Sequence, residues 1–293
     1  MELGLLDKIK RLVIMALVSD DELMETLVLK GGNAISIAYG VGNRGSADID
    51  FSMDGNFADV EATFAKIEQA LIAVFAEEQL HVFGVRWGMR PKKIADKFKS
   101  FWGGYSLEFK ITLLETARNY QGAPDRFHFE ALDLDEQRSK FFSVDISPFE
   151  YCEPKIEKTL NGYTYYVYPP QLVVFEKLRA ICQQLPEYKE VVGSHTSRAR
   201  ARDFYDIYEL MQAFPIDIAT EESQEMVRRV FAAKRVPEDY LIRVGEQREL
   251  HRTDYPSVVS NVTNASVLRG FDFYADYVVA TFSTLLLPQN PSG

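Results

Sequence analysis

Cysteine is almost absent. Cys152 and Cys182 are the only two, and they form no C-x-x-C spacing, which argues against both a disulfide framework and a cysteine-rich zinc site. Histidine is nearly as scarce, and His81, His128, His195 and His251 show no zinc-ligand spacing. No apolar run is long enough to span a membrane, and the first residues lack the basic, apolar, small-residue order of a signal peptide. Internal repeats and long low-complexity tracts are missing as well. These absences predict a soluble, cytoplasmic protein. Basic residues are in deficit: 33 Lys and Arg against 43 Asp and Glu give a net charge of −10. That balance argues against a non-specific polyanion binder but leaves room for RNA held by a local basic groove. Apolar and aromatic residues are plentiful, at 46% and 13% of the 293. They can build a substantial core in one large or two ordinary domains.

One stretch, Leu27 to Met53, carries a chemical pattern. The apolar run Leu27-Val28-Leu29 leads into Lys30-Gly31-Gly32, and Ala34, Ile35, Ile37 and Ala38 predict a short apolar helix. A glycine-rich loop then runs through Arg44-Gly45-Ser46-Ala47 into Asp48-Ile49-Asp50-Phe51. The alternation of those four residues predicts a strand with both carboxylates on one face. Adjacent carboxylates repel unless a cation neutralises them. Mg²⁺ is the usual hard, oxygen-bound ion for such a pair, and it normally brings a phosphate substrate. The glycines let backbone approach a ligand closely, and the helix start beyond them offers free N–H groups to an anion. Strand, Gly-Gly, helix, loop and D-x-D strand together suit a metal-bound triphosphate. The competing reading of Asp48 and Asp50 is a turn or helix-capping pair.

The rest of the chain divides near residue 168. Before it, helical spacing predicts helices over Met1 to Ser19 and Phe57 to Gln79. Alternation predicts strands over Leu80 to Met89, Tyr105 to Leu114, Lys140 to Ser147 and Tyr163 to Tyr168, and residues 116–139 read as polar and irregular. Lys92, Lys93, Lys97 and Lys99 fill the connection from Pro91 to Gly104, either as solvated surface or as a rim for triphosphate or RNA. Asp145 falls at mid-strand on the more polar face, and Pro148 ends that strand. After Pro169-Pro170 the chain turns helical, with Leu172, Phe175, Leu178 and Cys182 on one stripe. An exposed linker is expected over Pro186 to Arg198, then helices over Arg200 to Phe214, Glu221 to Ala233 and Val267 to Leu287. The expected class is α+β: a mixed-sheet core over 1–168, and a helical domain over 169–293 that contributes to the site.

The motifs Lys30-Gly31-Gly32-Asn33-Ala34 and Arg44-x-Ser46-x-Asp48-x-Asp50-Phe51 resemble the DNA-polymerase-β-like nucleotidyltransferase superfamily. More narrowly, they resemble the AbiEii/AbiGii family of abortive-infection and toxin–antitoxin nucleotidyltransferases. Glu176-Lys177-Leu178-Arg179-Ala180 and Arg202-Asp203-Phe204-Tyr205-Asp206 are similar to that family's E-K-L-x-A and R-D-x-Y-D helices, so the likeness covers roughly residues 25–212. One departure is Asn33, where the family usually has Ser or Thr.

The resemblance implies a polymerase-β-like core and a set of roles. Asp48 and Asp50 would hold Mg²⁺ (or Mn²⁺). Asp145 is the candidate third carboxylate, holding a second ion or taking the acceptor's proton; a solvated strand carboxylate is the alternative. Lys30, Gly31, Gly32 and Asn33 would cradle the nucleotide's phosphates, Arg44 would anchor a phosphate or the loop, and Ser46 would supply a hydroxyl. Lys177 would neutralise developing charge and Asp203 would orient it, Arg202 or an acceptor group, against plain surface roles for both. Tyr205 and Asp206 read as contacts to the neighbouring helix. The implied reaction moves a nucleoside monophosphate from an NTP to an acceptor, RNA and in particular a tRNA 3′ end, or a protein, and releases pyrophosphate. A cognate antitoxin is the implied protein partner. A D-x-D glycosyltransferase would need alternating βαβ units, which the order of elements does not offer. A binding-only degenerate fold is opposed by intact Asp48, Asp50, Lys177 and Asp203.

Overall fold

The computed structural model describes residues 3–41, 48–120, 129–134, 139–262, 266 and 268–285. Arg44 and Ser46 lie outside the described residues. By internal contacts the chain divides into two units, one of Met1–Asn33 with Ser46–Val167 and one of Ala34–Gly45 with Tyr168–Gly293. Among the described residues no helix is long and apolar enough to cross a membrane.

The first unit is a seven-stranded mixed sheet with helices on one face. Its strands are β1 (Val28–Lys30), β2 (Ile49–Ser52), β3 (Leu80–Arg90), β4 (Gly104–Leu113), β5 (Phe142–Ser147), β6 (Ile156–Leu160) and β7 (Tyr163–Val167). They lie in the order β3-β4-β5-β2-β1-β7-β6. The β2–β5 and β1–β7 pairs are parallel and the others antiparallel. Helix α1 (Leu3–Val18) buries Ile9, Leu12, Val13, Ala16 and Leu17, and α4 (Val60–Glu77) buries Phe64, Ile67, Leu71, Val74 and Phe75. Phe75 meets Phe109 edge-on and Phe64 stacks on Trp87, so α4 covers the sheet face that carries Trp87, Tyr105 and Phe109. Strand side chains alternate, which leaves the opposite face to Asp50, Asp145, Ser106 and Glu108.

Several local features differ from the sequence expectation. A helical turn, α3 (Gly31–Asn33), starts at the glycines themselves, and a short helix, α5 (Leu114–Asn119), opens the stretch read as irregular. Helix α4 begins at Val60 because Asp59 caps it, accepting the Ala62 N–H at 2.9 Å. A six-residue helix, α2 (Asp21–Thr26), is capped by Asp20 and is too short to show periodicity. Strand β6 pairs with β7 around Asn161-Gly162, both at positive φ (48° and 87°). That is the two-residue turn whose twist suits a hairpin, and Asn-Gly is its strongest sequence signal.

The second unit is helical among its described residues. Its longer elements are α6 (Pro170–Cys182), α8 (Ala201–Ala213), α9 (Glu221–Ala233) and α12 (Phe271–Phe282), with the short α10 (Arg248–Arg252) and α11 (Tyr255–Asn261) between the last two. Residues from 34 onward group with it because Tyr39 is anchored there. Its hydroxyl donates to the Tyr168 carbonyl at 2.8 Å, and its ring sits edge-on to Phe214. The segment expected as an exposed linker, Pro186 to Arg198, is instead tied into the core. It holds the short helix α7 (Tyr188–Val191), with Tyr188 and Val192 fully buried, and the Tyr188 hydroxyl donates to the Lys234 carbonyl at 2.6 Å.

His251 is fully buried against the Phe204 ring, and its Nδ1 accepts the Arg200 N–H at the start of α8. Burial pushes its pKa down from 6.5 to about 4; Asp203 and Asp254 oppose that shift and Arg200 reinforces it. The unfolded chain therefore binds one more proton than the folded one between those two values. Its contribution is fully present above pH 6.5 and is lost as the pH falls towards 4, an acid loss of about 3 kcal/mol. Urea unfolding should show this loss in the native chain and a flatter profile in His251→Gln. An unchanged slope would remove His251 as its source.

Candidate functional site

Register brings the site's carboxylates together. Asp50 on β2 pairs with Lys30 on β1 and with Asp145 on β5, and Asp145 in turn pairs with Ser106 on β4. Paired residues point to the same face. Lys30, Asp50, Asp145 and Ser106 thus form one rank across four strands, on the face away from α4. Alternation alone showed Asp145 to be polar-facing; that it stands beside Asp50 follows from the β2–β5 register.

Asp48 is exposed just before β2. Its carbonyl accepts a hydrogen bond from the side-chain amide of fully buried Asn33. Asn33 therefore spends one amide N–H on fixing the backbone that carries the first carboxylate, and its Oδ1 is buried without a hydrogen-bond partner. Gly31 has φ +68°, and a Cβ built there would lie 2.6 Å from Asp50 Oδ2. Glycine is required twice over, by conformation and by closeness. Gly31→Ala should push Asp50 out of the rank, cost about 1–3 kcal/mol by its strained backbone and reduce activity with it. A structure of that variant with Asp50 unmoved would contradict this.

Two buried lysines carry charge near these carboxylates, Lys30 within the rank and Lys10 in the field of Asp48. Lys30 is buried with its amine 3.8 Å from Glu150 Oε1, itself buried. Lys10 on α1 is also buried. Burial lowers its pKa, while the charges of Asp7 and Asp48 raise it. Sequence reading missed Lys10, although its spacing from Ile14 and Leu17 places it on a buried stripe. Neutral Lys10→Met should leave the fold as stable or more stable in thermal melts, because the cost of burying its ammonium outweighs the attraction of Asp7 and Asp48. A drop of several degrees would show a stabilising role for its charge.

Asp145 Oδ1 is buried without a hydrogen-bond partner, and Arg90 Nη1 approaches it at 3.7 Å. Among the described residues no three His, Cys, Asp or Glu side chains close round one point as a metal cage. Mg²⁺ does not need one, since it commonly takes one or two carboxylates and completes its shell with water and substrate phosphates. The donors here are all hard carboxylate oxygens, one of them without a hydrogen bond, and they suit that mode.

The second unit holds a different cluster. Lys177 on α6 is buried, with its amine 2.9 Å from Asp203 Oδ1 and 2.8 Å from Asp206 Oδ2 on α8. The other oxygen of Asp203 meets Arg200 Nη1 at 3.2 Å. The three-residue spacing of Asp203 and Asp206 puts both on one helix face. The motif lysine is thus shared between two buried carboxylates.

The family described as "Nucleotidyl transferase AbiEii toxin, Type IV TA system" matches residues 13–276. No curated protein matches the chain. Similar solved structures include a candidate nucleotidyltransferase from H. pylori, at 16% identity and TM-score 0.49 over 96% of this chain and 93% of that one. They also include JHP933 from Helicobacter pylori, at 16% identity and TM-score 0.47 over 96% and 90% of the two chains. An antigenic nucleotidyltransferase-like protein from Paracoccidioides brasiliensis is more distant, at 13% identity and TM-score 0.35 over 77% and 92%. With about nine-tenths of its length matched, the chain belongs to the AbiEii nucleotidyltransferase toxin family of type IV toxin–antitoxin systems.

Proposed function

We propose that this chain is a metal-dependent nucleotidyltransferase of the cytoplasm that moves a nucleoside monophosphate from an NTP to RNA, at a tRNA 3′ end, and releases pyrophosphate. The observation that carries the reading is the register of Asp50 against Asp145, with Asp48 held next to them by Asn33. Asp48 and Asp50 would hold Mg²⁺ or Mn²⁺. When bound, the metal would stabilise the attacking and leaving oxygens of an in-line displacement.

The remaining roles belong to the chain itself. Asp145, whose Oδ1 faces Arg90 without a hydrogen bond, accepts the proton of the acceptor hydroxyl as the hydroxyl oxygen bonds to the α-phosphorus and the bond to the bridging oxygen breaks. Gly31 and Gly32 keep backbone close to the phosphates, and Lys30 sets a positive charge at the end of the rank. Lys177, held by Asp203, belongs to the machinery on the strength of the family's helices. A cognate antitoxin, which the type IV family implies, is the protein partner.

The test uses NTPs labelled at the α- or the γ-phosphorus, incubated with total RNA and Mg²⁺. The reading expects α-label in RNA and γ-label in pyrophosphate. Label from the γ-position in the acceptor, or none in any RNA, would overturn it.

A further inference from the structure

The chain is acidic, yet one hairpin is not. Between residues 86 and 112 there are seven Lys and Arg and two Asp and Glu, a surplus of five positive charges in a chain of net −10. This is the β3–β4 hairpin with the lysine-rich connection at its tip. Register shows where those charges go. Arg86 pairs with Glu108, and Gly88 with Ser106, which pairs with Asp145. Arg86, Arg90 and Lys110 therefore project from the same face as the acidic rank. Arg90 and the exposed Lys92 and Lys93 lie on one side of Asp145's row, with Arg86 and Lys110 on the other. Glu108 is shared by Arg86 at 2.7 Å and Arg90 at 3.2 Å, so one carboxylate faces two guanidinium groups. At Asp145's own row the edge residue is Gly88, with no side chain to block passage.

Aromatic surface lies among these cations. Arg86 Cζ stands 4.2 Å and Lys110 Nζ 4.6 Å from the centroid of partly exposed Phe141. Lys140 beside it reaches the carbonyl of Phe129, whose ring is 83% exposed. Positive side chains following a backbone, with aromatic rings for bases to stack on, are the physical means of holding a single strand without reading its sequence.

We propose that the open face of the β3–β4–β5 sheet is the track for the acceptor RNA, a single strand whose phosphates meet Arg86, Lys110 and the hairpin-tip lysines and whose bases stack at Phe141. It rests on the nucleotidyltransferase reading for its role, and it adds the path by which the acceptor end reaches Asp145. An acidic segment of a protein partner is the other occupant such a charge pattern would attract.

The test measures a fluorescein-labelled single-stranded RNA of about 20 nucleotides binding to the full chain, without chemistry, across a salt series. Lys110→Glu and the double variant Lys92→Glu/Lys93→Glu should each weaken binding about tenfold or more. Each neutralised cation should flatten the salt dependence by about 0.7 in log–log slope. Phe141→Ala should weaken binding about tenfold with the slope kept. Affinity for Mg-NTP should stay within about twofold, and in transfer assays the RNA KM should rise while kcat holds. Lys92 and Lys93 are exposed, so their variants remain informative if Lys110→Glu misfolds. Unchanged RNA affinity in the folded variants, or loss of antitoxin binding in place of RNA binding, overturns the track. Wild-type protein that binds RNA through these residues yet transfers nothing from any NTP leaves the track standing and overturns the proposed function.

Discussion

Asp50→Ala is expected to abolish nucleotide transfer, lowering turnover by at least about a thousandfold, the scale on which electrostatic stabilisation of a transition state acts. The fold should survive. Asp50 stands beside Asp145 in register and close to the Gly31 backbone, and removing one of two adjacent carboxylates relieves repulsion. The thermal midpoint should therefore stay within a few degrees of wild type. Asp145→Asn provides the contrast: turnover should fall steeply while NTP affinity holds, as expected of a group that acts in the transition state. Full activity in Asp50→Ala at ordinary Mg²⁺ would remove the rank from the mechanism. Full activity in Asp145→Asn would return that residue to a solvated strand carboxylate.

Lys177→Met should unfold the helical unit more readily, by about 3–5 kcal/mol in urea, the range for removing one partner of a buried ion pair. The cause is specific. Lys177 is the cation between Asp203 and Asp206, both buried at under 3 Å from its amine, and its loss leaves two like charges in poor solvation. Replacing all three together, as Lys177→Met/Asp203→Asn/Asp206→Asn, should recover most of the stability, because no buried charge is left unpaired and Arg200, which loses Asp203, is exposed to solvent. Activity should stay lost in the triple variant if the lysine serves the reaction. A triple variant with restored stability and wild-type transfer would assign the cluster to the fold alone. This pairing matters for reading mutants: loss of activity in Lys177→Met by itself does not separate chemistry from stability, whereas the triple variant does.

Much of this was legible in the sequence where side chains repeat with a period. The alternation of Phe142, Val144 and Ile146 gives β5 and turns Asp145 away from the buried face, and the structure buries those three apolar residues. Glu221 to Ala233 is a helix with the same ends in both. What periodicity cannot carry is register. The adjacency of Asp50 and Asp145 depends on how two strands whose paired residues are 95 positions apart slide against each other. Buried charge was also hidden, since Lys10 reads as the polar side of an amphipathic helix until its neighbours Ile14 and Leu17 are seen to be buried. Two misses had a signal that was present. Asn161-Gly162 marks the β6–β7 hairpin, and Asp59 marks the true start of α4. The segment from Pro186 to Arg198 had no such signal. Its proline and polar residues read as a linker, and only Tyr188 and Val192, buried by tertiary contacts, tie it down. Asn33 was legible as a departure from the family's Ser or Thr, but its hydrogen bond to the Asp48 carbonyl depends on the approach of two segments 15 residues apart.

The most direct test of the carboxylate rank is anomalous diffraction from crystals grown with Mn²⁺ and a non-hydrolysable NTP analogue. The account predicts a manganese peak about 2.0–2.3 Å from carboxylate oxygens of Asp48 and Asp50, with the triphosphate beside Gly31. A peak elsewhere in the chain, with the triphosphate bound away from Asp48, Asp50 and Asp145, would contradict it.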